Sequence, residues 1–245
     1  MPAGLLLIHA FPLDASMWQP QIEGLGIDMP IVAPNLPGFG GTPTLGPVTT
    51  VEAMADACAE AARAAGLDRV VVCGLSMGGY AALALWRRHR QLIVGMVLAN
   101  TRAGADDEAV RGRRAALATR LRVEGSGFLV DAPPPLLSAD APAELLDRVK
   151  RIIAAQPAEG IAAASLGMAE RPDASDLLPR LDIPTLVITA SADTLIPPAA
   201  TQATAEAIPG SEFRTIDGAG HLSNLEAPEA FNALLREFLA QRHAW

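Results

Sequence analysis

Ser76 stands in Gly74-Leu75-Ser76-Met77-Gly78-Gly79, directly after the apolar run Arg69–Cys73 and before a helical pattern over Met77–Arg90. A serine on a sharp strand-to-helix turn needs neighbours without side chains, so that strand and helix can approach each other. Such a turn lifts the hydroxyl clear of a sheet. It also aims the backbone N–H of Met77, at the helix N-terminus, towards the place where an oxyanion develops. G-x-S-x-G carries weight only in a strand–turn–helix setting, and it has that setting here. Serine is a poor nucleophile at neutral pH, so it needs a base within hydrogen-bond reach and a third group to hold that base in the right tautomer. Four histidines are available: His9, His89, His221 and His243. Cys58, in an Ala-rich helical pattern, and Cys73, ending an apolar run, read as buried free thiols rather than a disulfide framework.

The elements that must position these groups are short apolar runs alternating with longer helical patterns. The runs are Gly4–Ile8, Pro30–Pro34, Arg69–Cys73, Ile93–Ala99, Thr185–Thr189 and Glu212–Ile216. They are near-continuously hydrophobic, as expected of strands covered on both faces, so an α/β fold with a parallel sheet is predicted. Helices are predicted over Val51–Ala65, Met77–Arg90, Pro198–Ala207 and Pro228–Arg242, with Gly66 ending the first and Pro198 and Pro228 suiting helix starts. Between Arg102 and about Asp182 the alternation stops. Ala109–Glu124 and Ala143–Gln156 read as helices with apolar stripes and basic faces, separated by the Pro-rich Pro133–Pro135. Eleven of the nineteen basic residues fall in this region, including the only lysine, Lys150, and they read as a solvated outer face. The organisation that follows is a core domain of residues 1–101 and 183–245, with residues 102–182 as an all-helical cap above one end of the sheet.

The serine turn resembles the nucleophile motif of the α/β-hydrolase superfamily residue for residue, and the likeness extends along the chain outside the cap. Asp217-Gly218-Ala219-Gly220-His221, continuing to Glu226 and Pro228, resembles that superfamily's histidine loop. Ser191-Ala192-Asp193-Thr194-Leu195-Ile196-Pro197 resembles its acid loop. The resemblance implies Ser76 as nucleophile, His221 as base and Asp193 as orienting acid, in the chain order expected of this fold. Asp217 competes for the acid role but reads better as a turn former. His89 and His243 sit in charged C-terminal helical turns, where a histidine offsets the helix dipole. His9-Ala10-Phe11-Pro12 resembles the oxyanion loop, which makes the Phe11 N–H the second donor beside that of Met77. Ala10 replaces the usual glycine, which requires a negative φ, and His9 is expected to pack beneath the loop. Met17-Trp18-Gln19-Pro20-Gln21 is similar to a run in 3-oxoadipate enol-lactonases and related small bacterial esterases, and Trp18 is expected in the substrate pocket. Asn35-Leu36-Pro37-Gly38-Phe39-Gly40 resembles a structural loop of the family, with Asn35 in place of an acid. Families of this kind open with two antiparallel strands. Here three or four residues precede the first run, so the sheet is expected to have six strands with Pro30–Pro34 at an edge, shielded by a local segment or by a second subunit in a homodimer.

The chain has 245 residues, half of them apolar, with a net charge of −8, mean hydropathy +0.26 and pI near 5.0. That length suits one large domain, and the acidic balance argues against a nucleic-acid partner. The apolar run at the N-terminus is too short for a signal or membrane segment, so a cytoplasmic location is the default. The histidines belong to separate elements, and neither a metal nor another cofactor is implied. A serine nucleophile favours acyl chemistry over carboxylate-based dehalogenation. The expected activity is that of a carboxylesterase on small apolar esters, with the Ala- and Leu-rich cap, Phe11, Trp18 and Met77 giving an apolar surround. The nearest alternative is an enol-lactonase, whose anionic substrate would want an inward arginine from Arg102, Arg122 or Arg171. Perhydrolase and C–C bond hydrolase chemistry use the same three residues. A different class, a non-catalytic ligand-binding member of the fold, is separated from these by turnover of simple p-nitrophenyl esters.

Overall fold

A computed structural model describes residues 3–240. In chain order the elements are β1 (Gly4–Ile8), α1 (Gln19–Gly24), β2 (Ile31–Val32), α2 (Val51–Ala64), β3 (Val70–Leu75), α3 (Met77–His89), β4 (Ile93–Ala99), α4 (Glu108–Glu124), α5 (Gly127–Asp131), α6 (Ala143–Ala154), α7 (Ala158–Glu170), β5 (Thr185–Ala190), α8 (Pro198–Glu206), β6 (Glu212–Ile216), α9 (Ser223–Glu226) and α10 (Pro228–Ala240). The last two residues of the helix expected to end at Arg242, and with them His243, lie outside the described residues.

The sheet has six strands in the order β2-β1-β3-β4-β5-β6, and every pairing is parallel. The continuous apolar runs of β1, β3 and β5 are buried at every residue, which is what two covered faces demand. The expected edge strand is present but only two residues pair, Ile31 and Val32, and both are half-buried. An edge this short offers little template for another strand. Local chemistry sets the helix ends. Thr50 Oγ1 accepts from the Ala53 N–H at 3.1 Å to start α2, and Gly66, at φ +75°, follows its end.

The strand order reverses between β1 and β3, and this fold type binds ligands in the crevice at such a switch point, beyond the C-terminal ends of the strands. Phe11 follows β1 and Ser76 follows β3, so they flank that crevice. Between β4 and β5 the described residues hold α4 to α7 and no strand. Of these, α4 and α6 match the helices expected from their stripes. The helix α7 was not anticipated and is the most buried of the four, apolar almost all round. It lies backbone to backbone on the core: a Cβ on Gly160 would stand 1.9 Å from the Gly38 carbonyl oxygen, and one on Gly167 would stand 1.7 Å from that of Thr49. Among the described residues no single helix is long and apolar enough to cross a membrane.

Candidate active site

Ser76 sits at φ 57°, ψ −115°, at the N-cap of α3, and its side chain makes no capping bond. Its N–H donates to the Ala99 carbonyl at 2.9 Å and its carbonyl accepts from the Gly79 N–H at 2.9 Å, so the turn is clamped from both sides. The glycines expected here are required by space. A Cβ on Gly74 would meet the Gly78 oxygen at 2.2 Å, and one on Gly78 would meet the Ile8 oxygen at 2.1 Å. Neither is a contact that a side chain can relieve.

His221 and Asp193 come together from loops after β6 and β5. The His221 Nδ1 lies 2.8 Å from Asp193 Oδ2, with both side chains at most 2% exposed. The other carboxylate oxygen, Oδ1, accepts from the N–H groups of Leu195 and Ile196, each at 2.9 Å. Burial opposes ionisation of Asp193, but the bonds from His221, Ile196 and Asn100 outweigh it and hold the carboxyl below the usual range. A proton on Nδ1, facing Asp193, leaves Nε2 as the acceptor nitrogen of the ring. Asp217, the competing acid, is exposed on the turn before Gly218. The histidine loop is fastened by Glu226, whose carboxylate accepts from the Gly220 N–H at 3.0 Å and from the Ser138 N–H at 3.0 Å.

Ser76 and His221 line one cavity of about 360 Å³ together with Phe11, Tyr80, Leu136, Met168, Leu195, Ile196 and Pro197. The N–H groups of Phe11 and Met77 donate to no backbone acceptor among the described residues, which leaves both available to a bound oxygen. Ala10 is fully buried and keeps a negative φ, since Ser76 and Asn100 are the non-glycine residues at positive φ.

Trp18 is a correction. It is fully buried, packs on Phe231 of α10 with ring centroids 5.9 Å apart, and does not line the cavity. It closes a short 3-10 turn over Ala15–Trp18, which directs the indole into the core rather than over the serine. The side chain of Met77 is likewise buried in the core. A second correction concerns the apolar surround, because Arg102, Arg113 and Arg114 share the cavity wall with the apolar groups. Of the arginines weighed in advance, Arg102 is on that wall. Arg122 is held outside by Glu159 at 2.8 Å. Arg171 is buried, stacked 4.0 Å over Tyr80 and paired with Asp106 at 2.8 Å. The fully buried Asp106 carboxylate also takes Arg102 at 2.7 Å and Arg114, so one negative charge faces three guanidinium groups. Basic residues at helical spacing gave no sign of which would turn inward.

His9 packs beneath the loop that follows β1, as expected. It is wholly buried, its Nδ1 faces the Ala10 carbonyl at 3.1 Å and its Nε2 accepts from the Leu36 N–H at 3.0 Å. Burial lowers its pKa from 6.5 to about 4. The native state therefore refuses a proton that the unfolded chain takes up, and stability is complete above pH 6.5 and declines as pH falls towards 4. The contribution over that interval is on the order of 3 kcal/mol. Urea midpoints measured from pH 7.5 to 4 should fall more steeply for the wild type than for His9→Gln, and parallel curves would refute this account. Cys58 and Cys73 are free and buried, and burial pushes both thiols up, so neither supplies a thiolate. Asn35 is structural, with Oδ1 accepting from the Ala15 N–H and Nδ2 donating to the Gly40 carbonyl, both at 2.9 Å.

A parallel six-stranded sheet carrying a strained serine after β3, an acid after β5 and a histidine after β6 is the architecture of an α/β-hydrolase. The chain matches the alpha/beta hydrolase family over residues 5–234 and belongs to it. Among its relatives, 3-oxoadipate enol-lactonase 1 of Acinetobacter baylyi is 28% identical over 239 residues, covering 96% of this chain and 88% of that one. A thermophilic esterase from Thermogutta terrifontis, solved with malate bound, superposes with a TM-score of 0.95 at 40% identity, covering 100% of this chain and 92% of that one. The enol-lactonase from Burkholderia xenovorans LB400 superposes with a TM-score of 0.86 at 27% identity, covering 98% and 92%.

Proposed function

We propose that this hydrolase cleaves carboxylic esters by an acyl-enzyme mechanism, with Ser76 as nucleophile, His221 as base and Asp193 as orienting acid. The observation that carries the reading is the buried 2.8 Å bond from His221 to Asp193 beside a serine in the same cavity. His221 takes the Ser76 proton as the hydroxyl attacks the acyl carbon. The Phe11 and Met77 N–H groups receive the oxyanion, and the imidazolium returns the proton to the leaving alcohol. Water then repeats the sequence on the acyl-enzyme. The helices α4 to α7 act as the cap, and the apolar wall of Phe11, Leu136, Met168, Leu195 and Ile196 suits a small ester with an apolar body. The 40% identical esterase supports the same reaction class. A panel of p-nitrophenyl esters of increasing acyl length tests this, with Ser76→Ala as control. Turnover in the wild type alone is expected; no turnover would favour a ligand-binding role.

A second reading, a lactonase for carboxylate-bearing substrates, is favoured by one observation, the arginines on the cavity wall. Arg102 and Arg114 are neutralised in part by Asp106, whereas Arg113, at the exposed end, has no ion-pair partner among the described residues. For a partly solvated guanidinium the effect is modest. Arg113→Ala should raise KM for a p-nitrophenyl hemiester of a dicarboxylic acid roughly 3- to 10-fold and leave KM for its neutral isostere unchanged. Equal effects on both esters would remove the support for an anionic substrate.

A further inference from the structure

The residues at the C-terminal end of β4 touch all three loops of the candidate site. The Ala99 carbonyl accepts from the Ser76 N–H, and Thr101 Oγ1 donates to the Ser76 carbonyl at 2.8 Å. Between them, Asn100 Nδ2 donates to Asp193 Oδ2 at 2.9 Å, the same oxygen that faces His221 Nδ1. Asn100 Oδ1 accepts from Ser223 Oγ at 2.6 Å, two residues beyond His221. The Asn100 side chain is fully buried at φ 47°. Glycine would take that backbone conformation without strain, and asparagine is among the few other residues that tolerate it. A left-handed position held by a buried side chain whose amide is bonded at both ends points to a task for that amide.

We propose that Asn100 is a positioning residue that fixes the rotation of Asp193 and couples the acid loop to the histidine loop. Leu195 and Ile196 hold one carboxylate oxygen. On the other oxygen, Asn100 is the donor besides His221. Without it the carboxylate can pivot about the Oδ1 anchor, and the imidazole it orients loses its alignment on Ser76. A small misplacement of a catalytic group costs rate rather than affinity.

This inference rests on the proposed roles of Ser76, His221 and Asp193, and its test separates the two. Asn100→Gly suits the backbone and removes the amide; Asn100→Asp keeps the shape and sets a second carboxyl against Asp193 Oδ2 in place of the amide donor. At pH 8 each is expected to lower kcat roughly 10- to 100-fold with KM within about twofold. In an Asp193→Ala background Asn100→Gly should have little further effect, because its action runs through Asp193. A purely structural role would lower activity in both backgrounds. Wild-type kcat in both single variants, or an undiminished Asn100→Gly loss in the Asp193→Ala background, overturns the proposal. Activity persisting in Ser76→Ala would instead sink the roles assigned to the site. In that event proton NMR decides the inference alone: the downfield Nδ1–H resonance of His221 should move in Asn100→Gly, and an unmoved resonance overturns it.

Discussion

Replacing Ser76 by glycine is expected to abolish ester turnover and to stabilise the fold in the same step. Under the proposed mechanism the activity loss follows from removing the nucleophile, and should be on the order of 10⁵ in kcat, leaving what oxyanion stabilisation and binding supply. The stability gain follows from the backbone. Ser76 is held at φ 57°, ψ −115° with no capping bond from its side chain, a conformation costing on the order of 1–3 kcal/mol for a residue with a Cβ. Glycine removes that cost but gains freedom in the unfolded chain, so the net change is smaller, about 1 kcal/mol in favour of the folded state. Ser76→Ala should be equally inactive without the gain, because the Cβ stays. Denaturant titrations of the three proteins check this. A Ser76→Gly midpoint at or below that of Ser76→Ala would mean that the turn is not strained.

Under the proposed mechanism Asp193→Asn should cost about 10⁴ in kcat, by holding the imidazole in the wrong tautomer. Whichever way the new amide lies, it conflicts with its partners. With its NH₂ towards His221, it makes Nδ1 an acceptor and leaves the Nε2 proton facing Ser76, so the base is lost. It also meets the Asn100 amide, which has to flip. With its NH₂ towards the other side, it opposes the Leu195 and Ile196 N–H groups that now donate to the carboxylate. Loss of a charge-assisted bond to a buried partner adds a stability cost of about 1.5–3 kcal/mol. Kinetics with a good p-nitrophenyl ester, together with thermal unfolding, measure both effects. A kcat within tenfold of wild type would remove Asp193 from the acid role and return Asp217 to consideration.

Three of the six strands, Gly4–Ile8, Ile93–Ala99 and Glu212–Ile216, have the predicted bounds; the first two were legible because burial on both faces writes itself as apolar runs, whereas the edge strand Glu212–Ile216 is only partly buried and carries Glu212, Arg214 and Thr215. The helix α7 was not legible for the converse reason. Ala158–Glu170 is apolar on every side and carries Gly160 and Gly167, so it shows no stripe at helical spacing and two residues that ordinarily weaken helices. Those glycines are there for contact with the core, which spacing does not reveal. Trp18 failed because nearness in sequence to the loop after β1 says nothing of direction. Arg113, Arg114 and Asn100 were missed for want of a motif, although an Asn-Thr pair ending a buried strand, at the end where this fold gathers its sites, was a usable signal. Ser76, His221 and Asp193 could be proposed from the sequence because backbone demands of their loops leave glycines and prolines at fixed offsets.

The glycine-to-backbone docking of α7 divides the insertion into a conserving half and an adaptable half. Gly38 meets Gly160, Thr49 meets Gly167, and the Thr49 N–H donates to the Ala163 carbonyl at 3.0 Å. Any side chain larger than hydrogen at Gly160 or Gly167 would push the helix off the core, so these two positions are closed to substitution. On α4, by contrast, Val110, Arg113 and Arg114 reach the cavity from a helix whose Gly112 has open space where a Cβ would be. Under the proposed function, altered ester preference can therefore be accommodated by exchanging side chains on α4 and at Met168 of α7 while Gly160 and Gly167 hold α7 on the core, and directed evolution should gather its accepted mutations at the former and leave the two glycines untouched.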